Sequence, residues 1–215
     1  MSQKINTAVI CAAGLGSRLG LDTPKCLVEI GGHPLIYYLL NVLHDVPNIR
    51  MVVGFKEEAV MECVRNIRRD VVFVRNPTYR TTTNSYSLYL GSHDLNVPFL
   101  NIDGDMYISR ENYLKFVDGI KTGEDLIGVS VSYTEDAVNV LLDDEKRVTG
   151  FSREKVSNYE WTGIAYLANI KIRKEGKYVY QELERYLPIQ SQEISCFEID
   201  TPQDLEYLSN KIGYL

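Results

Sequence analysis

Short apolar runs rich in valine and isoleucine alternate along the chain with segments whose apolar residues repeat at helical spacing. The apolar runs, which turn residues bound, predict β-strands at 7–12, 51–54, 71–74, 99–103, 126–133, 139–142, 148–151, 163–167 and 194–199. The intervening segments predict helices at 35–44, 56–68, 84–94, 110–121, 171–186 and 202–212. Such alternation is typical of an α/β fold with a mostly parallel sheet covered by helices on both faces.

The alternation of strands and helices stops between residues 126 and 167. Here short predicted strands follow one another, and the turn-like sequence DDEK at 143–146 joins two of them. This pattern predicts a small antiparallel excursion added to the sheet. The chain has 215 residues and contains no linker, repeat or low-complexity segment. We therefore expect a single domain over residues 1–215.

Composition limits the classes of function. The formal net charge of −6 opposes a general affinity for nucleic acid or anionic lipid, which needs an excess of lysine and arginine on one face. The cysteines form no C-x-x-C pair, the N-terminus has no signal-peptide pattern, and no apolar run reaches the roughly 18 residues of a membrane helix. We expect a cytoplasmic protein with reduced thiols that binds neither nucleic acid nor membrane.

Residues 8–32, AVICAAGLGSRLGLDTPKCLVEIGG, combine closely spaced glycines with cations. The spacing of Gly14, Gly16 and Gly20 does not match the G-x-G-x-x-G of dinucleotide-binding proteins. Lys25 lies between a proline and a cysteine, which does not fit a P-loop either. A long loop with backbone amides and side-chain cations can instead wrap a triphosphate.

This loop resembles the signature of the nucleotidylyltransferases, which are NTP transferases with a Rossmann-like, GT-A-like fold. AAGLGSRL followed by PKCLVEIGGHPLI matches Ala-Ala-Gly-x-Gly-x-Arg, Pro-Lys and Gly-x-Pro-Leu-Ile throughout. The resemblance implies that Arg18 holds a triphosphate and that Lys25 neutralises charge at the reacting phosphorus. It also implies a nucleotide-binding loop made of Ala12, Ala13, Gly14, Leu15, Gly16 and Ser17. The alternative is a glycine turn with surface cations placed by chance.

Two acidic pairs end predicted strands: Asp103 and Asp105 in NIDGDMY, and Glu198 and Asp200 in FEID. The resemblance implies that Asp105 and Asp200 share Mg²⁺ over the nucleotide, and oxygen ligands suit that ion. Glu198 is a candidate third ligand, because residues i and i+2 of a strand share a face. Asp103 is expected to contact the nucleotide. The alternative for each acid is a turn residue or a helix cap.

The stretch NPTYRTTTNSYSLYLG at 76–91 resembles the cytidylyltransferases that act on phosphocholine and related small phosphates or phosphonates. The resemblance implies that Thr83, Asn84 and Ser85 lie near the cytosine, where polar side chains can pair with a base edge. The alternative is that these residues cap the helix at 84–94.

An acceptor pocket is predicted in NYEWTGIAYL at 158–167, where Glu160 and Trp161 could hold an ammonium by charge and cation–π attraction. The alternative is that this tryptophan fills the core. The expected function is transfer of CMP from CTP to a small phosphorylated alcohol or phosphonate, with Mg²⁺ and release of pyrophosphate. A sugar 1-phosphate nucleotidylyltransferase and a non-catalytic nucleotide-binding module are the alternatives. The sequence leaves a homodimer open.

Overall fold

The computed structural model describes residues 5–16, 19–132 and 137–212. Its strands are β1 Thr7–Ala12, β2 Glu29–Ile30, β3 His33–Pro34, β4 Asn48–Val53, β5 Val71–Arg75, β6 Phe99–Asp103, β7 Met106–Ile108, β8 Leu126–Val131, β9 Asn139–Leu142, β10 Arg147–Ser152, β11 Tyr159–Leu167, β12 Ile189–Glu193 and β13 Cys196–Glu198. Its α-helices are α1 Leu35–Val42, α2 Glu57–Ile67, α3 Asn84–Ser92, α4 Arg110–Asp118, α5 Val179–Leu183 and α6 Pro202–Ile212. Short 3₁₀ helices cover Lys25–Leu27 and Glu184–Tyr186.

A nine-stranded mixed sheet has the order β5-β4-β1-β6-β11-β8-β12-β10-β9. The four strands from β5 to β6 are parallel, as the alternation of strands and helices predicted. β11 then runs antiparallel to both β6 and β8. The expected α/β fold is confirmed, and its antiparallel part is larger than the small excursion that the sequence indicated.

The second half of the sheet closes on itself. β9 pairs with β11 as well as with β10, so β8, β11, β9, β10 and β12 form a ring of hydrogen-bonded strands. Val129, Val140, Val148 and Phe151 from these strands are buried in one apolar cluster. Closure of the ring leaves β5 as the open edge of this sheet within the described residues.

Helices cover both faces of the sheet. Ile36 of α1, Val60 of α2 and Phe116 of α4 belong to one buried cluster, while Leu88 of α3 and Leu183 of α5 belong to another. In each helix the buried residues recur at helical spacing and form the apolar face that packs on the strands. No helix in the described part of the chain is long and apolar enough to cross a membrane.

Two predicted elements are wrong. The helix predicted at 171–186 is reduced to α5 and the 3₁₀ turn after it. Its first part instead folds back, because the backbone amide and guanidinium of Arg173 donate to the buried carboxylate of Glu182. The strand predicted at 194–199 is shorter and lies outside the main sheet: only β13 falls there, and it pairs with β7. The sequence pattern predicted neither β7 nor β12, which lies in the main sheet.

The carboxyl ends of β1 and β6 lie side by side. Cys11 is in register with Asp103, and the amide of Gly104 donates to the Cys11 carbonyl at 2.9 Å. A Cβ atom at Gly104 would lie 2.8 Å from the Cβ of Ala12, so a side chain there would separate the two strand ends. This close approach places the glycine loop after β1 beside the acids that follow β6.

Candidate active site

A cleft of about 430 Å³ opens where β1 and β6 end. It contains most of the residues that the sequence nominated. Its lining residues are Cys11, Ala12, Ala13, Gly14, Leu15, Gly16, Lys25, Cys26, Asn76, Tyr79, Arg80, Thr82, Thr83, Asn84, Ser87, Asp103, Gly104, Asp105, Glu198 and Asp200. A second surface hollow, between α2 and β5, holds none of the nominated residues in the described part of the chain.

The glycine loop forms one wall of the cleft. Gly16 has a φ of 63°, and a Cβ atom there would lie 2.7 Å from the Cγ atom of Lys25. Glycine is therefore required both by the backbone conformation and by the passage of the lysine side chain. Ser17 and Arg18, which the sequence nominated in this loop, lie outside the described residues.

The end of β4 supports this loop from behind. The amide of Phe55 donates to the Ala13 carbonyl at 3.1 Å. A Cβ atom at Gly54 would lie 2.8 Å from that carbonyl oxygen and 2.8 Å from the Cβ atom of Tyr79. Gly54 thus allows the loop and Tyr79 to pack on the same backbone, and sequence reasoning did not select either residue.

Lys25 is the central cation of the cleft. Its ammonium donates to Asp105 Oδ2 at 2.9 Å and also contacts Asp200 Oδ1. Burial opposes the charged form, but the negative charge of Asp105 and then the contact with Asp200 outweigh it and raise the pKa of Lys25. The side chain is therefore a fixed positive charge at neutral pH.

The two acidic pairs converge although they are far apart in the sequence. β13 pairs with β7 so that Glu198 is opposite Met106, and the amide of Ile199 donates to the Asp105 carbonyl at 3.2 Å. Burial and then the charge of Asp105 raise the pKa of Asp103 to about 8. Desolvation by the surrounding protein, followed by the charges of Asp105, Asp103 and Asp200, also raises the pKa of Glu198. The cleft therefore crowds four acidic groups around one lysine, and this crowding favours the protonated forms of Asp103 and Glu198.

Gly163 of β11 makes room for two of these acids. It has a φ of 79°, and a Cβ atom there would lie 2.8 Å from Asp103 Oδ2 and 3.1 Å from Glu198 Oε1. The amide group of the buried Asn101 side chain donates to the Gly163 carbonyl at 3.0 Å and holds this bulge of β11 in place. Sequence reasoning missed Gly163, although a glycine at the first position of the strand predicted at 163–167 was a signal for a bulge or a close approach.

Asp105 and Asp200 fit a magnesium site that phosphates complete. One ammonium already bridges both carboxylates, which shows that the two side chains can share a cation. Mg²⁺ often takes one or two protein carboxylates and draws its other ligands from substrate phosphates and water. In the described residues no group of three or more histidine, cysteine or acidic side chains is arranged to hold a metal. Glu198 lies against Gly163, and its role as a third ligand stays a prediction.

A stretch that we call the polar wall, residues 78–84, closes the opposite side of the cleft. Thr83 and Asn84 line the cleft, and their place near a cytosine stays a prediction. Ser85 does not, because it is fully buried and its Oγ atom lies 2.6 Å from where a Cβ atom of Gly176 would be. The expectation that Ser85 lies near the cytosine is therefore corrected: this hydroxyl faces the segment before α5.

Glu160 and Trp161 do not share a pocket. They are consecutive residues of β11, so their side chains point to opposite faces of the sheet. Glu160 accepts hydrogen bonds from Ser130 and Ser132, whereas the Trp161 ring packs edge-on against Phe151 with the centroids 6.3 Å apart. Among the described residues, neither of them lines the cleft. The prediction that Glu160 and Trp161 form one acceptor pocket is therefore corrected. The structure favours the alternative, in which Trp161 is a packing residue.

Comparison with known families and proteins agrees with this arrangement. Residues 8–146, more than half of the chain, match the family model described as the MobA-like NTP transferase domain. The Bifunctional protein GlmU of Aquifex aeolicus (strain VF5) is 32% identical over 124 residues, which cover 54% of this chain and 26% of that protein. The chain therefore spans about a quarter of the length of this curated relative.

Several solved structures share the fold over nearly the whole chain. The inositol-1-phosphate CTP transferase of T. maritima is 21% identical with a TM-score of 0.81, covering 99% of this chain and 98% of that one. CTP:phosphocholine cytidylyltransferase (LicC) of Streptococcus pneumoniae is 25% identical with a TM-score of 0.77, covering 97% and 100%. UDP-glucose pyrophosphorylase of Acinetobacter baumannii is 13% identical with a TM-score of 0.80, covering 98% and 94%. The matched folds include proteins named for different nucleotides.

Proposed function

The chain belongs to the family of MobA-like NTP transferase domains, and from this premise we propose that it transfers CMP from CTP to a small phosphorylated alcohol or phosphonate. Phosphocholine and 2-aminoethylphosphonate represent the acceptor class, a phosphate or phosphonate that carries a cationic amine. The observation that carries the proposal is the convergence of Lys25, Asp105 and Asp200 beside the glycine loop. A cation held by two carboxylates next to exposed backbone amides suits a reaction between two phosphates.

The proposed reaction needs charge stabilisation more than proton transfer. An anionic oxygen of the acceptor attacks the α-phosphorus of the nucleotide, a new oxygen–phosphorus bond forms, and the bond to the β-phosphate oxygen breaks. Pyrophosphate leaves with the electron pair of that bond. Because the attacking oxygen is already ionised, the main task is to bring two anions together and to neutralise the charge of the leaving group.

Each part of the cleft has a role in this proposal. The backbone amides from Ala13 to Gly16, together with Arg18, hold the triphosphate, and Lys25 stabilises charge at the reacting phosphorus. Asp105 and Asp200 would hold Mg²⁺, which when bound neutralises phosphate charge. These assignments are supported by the shape and charge of the cleft and by the match of residues 8–146 to the family model.

The choice of CTP is supported by the polar wall. The Asn84 amide can offer both a donor and an acceptor to the edge of a base, and the Thr83 hydroxyl, which donates to the Lys177 carbonyl, can offer an acceptor. The match over full length with a protein named CTP:phosphocholine cytidylyltransferase, at 25% identity, points in the same direction.

The proposed partner of the acceptor amine is Glu160 alone, without Trp161. Ser130 and Ser132 hold the Glu160 carboxylate on one face of β11, three residues before Gly163 and the acidic cluster. A carboxylate so placed can attract the ammonium of an acceptor whose phosphate lies near the nucleotide. The aromatic contribution expected from Trp161 is absent from this proposal because that ring packs against Phe151 on the other face.

A screen of pyrophosphate release tests the proposal. CTP, UTP, ATP, GTP and dTTP are each combined with phosphocholine, phosphoethanolamine, 2-aminoethylphosphonate and sugar 1-phosphates in the presence of Mg²⁺. We expect turnover with CTP and an amine-bearing acceptor, and a turnover lower by roughly two to three orders of magnitude from the matched Lys25→Ala protein. Turnover restricted to a sugar 1-phosphate would establish the sugar nucleotidylyltransferase instead. Tight nucleotide binding without turnover on any acceptor would indicate a non-catalytic module.

A further inference from the structure

We propose that Asn76 is the positioning residue of the polar wall, and that it sets nucleotide affinity without touching the reacting groups. The inference rests on the proposed function only in needing a nucleoside triphosphate in the cleft. Asn76 directly follows β5, lines the cleft and is 1% exposed. Buried polar side chains are nearly always hydrogen-bonded, so the partners of this amide show what it holds in place.

The Asn76 side chain uses its whole hydrogen-bonding capacity on the wall and on the helix that follows it. Its Nδ2 group donates to Thr82 Oγ1 at 3.1 Å and to Ser87 Oγ at 3.0 Å. Its Oδ1 atom accepts from the Thr78 amide at 3.0 Å and from the Thr78 hydroxyl at 3.1 Å. One side chain therefore joins the start of the wall, its end and the first turns of α3.

The chemistry of these contacts requires an amide. Donors are needed on the side of Thr82 and Ser87, and an acceptor is needed on the side of Thr78. A carboxylate would replace the donors by a buried charge, and an aliphatic side chain would leave all these groups unpaired. Since both ends of the amide are engaged, Asn76 organises the wall and does not read a base itself.

The wall depends on anchors of this kind because it has no regular secondary structure of its own. The backbone amide of Asn76 donates to the Val53 carbonyl at 2.8 Å, which fixes its root to the sheet. The Tyr79 ring packs near Phe55, with the centroids 6.3 Å apart. At the far end the Thr83 hydroxyl donates to the Lys177 carbonyl. Asn76 is the only one of these anchors whose side chain reaches both ends of the wall among the described residues.

Loss of Asn76 should therefore relax the wall while the catalytic centre stays in place. Lys25 and Asp105 hold each other in place, and in the part of the chain that the structure describes Asn76 forms no hydrogen bond with either side chain. The expected effect is a weaker affinity for the nucleotide. The rate at saturating nucleotide and the KM for the acceptor should change little.

The test compares Asn76→Ala and Thr82→Val with Val64→Ala in the full chain. Val64 is buried on α2 and does not line the cleft, so its truncation supplies a loss of packing stability without a change in the wall.

CTP binding is measured by calorimetry, the KM for CTP and for phosphocholine by pyrophosphate release, and folding by thermal melting. Asn76→Ala should raise the Kd and KM for CTP by roughly fivefold or more, with kcat within about threefold of wild type. Thr82→Val should shift both constants in the same direction by less, and Val64→Ala should shift neither.

The outcomes separate this inference from the proposed function. If the wild-type chain binds UTP or a purine triphosphate instead of CTP, the choice of CTP fails and the same comparison is made with the nucleotide that binds. An Asn76→Ala protein that melts earlier but keeps the wild-type nucleotide Kd overturns the positioning role. So does a fall in kcat with an unchanged nucleotide KM. A wild-type chain that binds no nucleoside triphosphate overturns both.

Discussion

Lys25 and Asp105 are 80 positions apart in the sequence and form an ion pair of 2.9 Å in the cleft. The same ammonium contacts Asp200, so one lysine holds together carboxylates from the strand ends of two separate segments. The positive charge of Lys25 can attract a triphosphate. A divalent cation that binds to the two carboxylates would have to displace the lysine ammonium.

Replacement of Lys25 by alanine should abolish most of the turnover. We expect kcat to fall by roughly two to three orders of magnitude, the usual scale for removing one group that stabilises developing charge. The measurement is pyrophosphate release at saturating substrates, with circular dichroism to confirm that the variant is folded. Full activity in a folded Lys25→Ala protein would remove the assigned role of the lysine.

Removal of the lysine charge should also make the free protein a better metal binder. In the wild type, a divalent ion competes with the ammonium for Asp105 and Asp200. Lys25→Met should therefore bind Mn²⁺ more tightly without nucleotide, by roughly tenfold, the scale on which neighbouring groups change metal affinity. Calorimetric titration measures this effect, and Lys56→Met, which removes a lysine paired with Asp22, serves as the control.

Substitution of the two carboxylates should have the opposite effect on metal binding. Asp105→Asn and Asp200→Asn should each weaken Mn²⁺ binding and lower activity in a way that added Mg²⁺ partly restores, because each removes one anionic ligand. Equal Mn²⁺ affinity in all these proteins, or full wild-type turnover in excess EDTA, would contradict a shared cation at the two carboxylates.

The neighbours Glu160 and Trp161 should give opposite phenotypes. Glu160→Gln should raise the KM for an amine-bearing acceptor, with the KM for CTP and the melting temperature nearly unchanged. Trp161→Ala should lower stability toward the lower end of about 3–5 kcal/mol, since the ring is only partly buried, and should spare the acceptor selectivity. Kinetics with phosphocholine and thermal melts distinguish them, and a selective acceptor defect in Trp161→Ala would restore the shared pocket.

Glu182 should make stability depend on pH in the acid range. Hydrogen bonds from Arg173 hold the pKa of this carboxyl below its ordinary value of 4.5. A group whose pKa is lowered by folding stabilises the protein above its unfolded pKa, and this contribution is lost as the pH falls through the lowered value. Glu182→Gln should cost roughly 1–3 kcal/mol at pH 7 and progressively less below about pH 4.5. Chemical denaturation at several pH values checks this, with the exposed Glu184→Gln as control; a penalty independent of pH would count against the ion pair.

The glycine loop and the acids after β6 could be predicted because their signals are local. β1 and β6 were expected at 7–12 and 99–103 and occur there, so the loop and Asp105 fall at the ends of neighbouring strands. Thr83 and Asn84 were selected through the resemblance of residues 76–91 to cytidylyltransferases, and both line the cleft at the start of α3.

The errors all concern features that depend on distant parts of the chain. Glu160 and Trp161 were expected to precede the strand at 163–167, but β11 already begins at Tyr159, where it pairs with β8 and β9, so the two side chains alternate between its faces. The burial of Ser85 depends on the segment near Gly176, more than ninety residues later. A pattern of apolar and polar residues defines an element, but it does not say which surface of another element will cover it.

β11 is the strand that the parallel half of the sheet and the closed ring have in common, through β6 on one side and β8 and β9 on the other. Its bulge lies between these pairings, and a bulge bends a strand and changes its twist locally. The ring can consequently change in size or tilt without disturbing the register of β1 and β6.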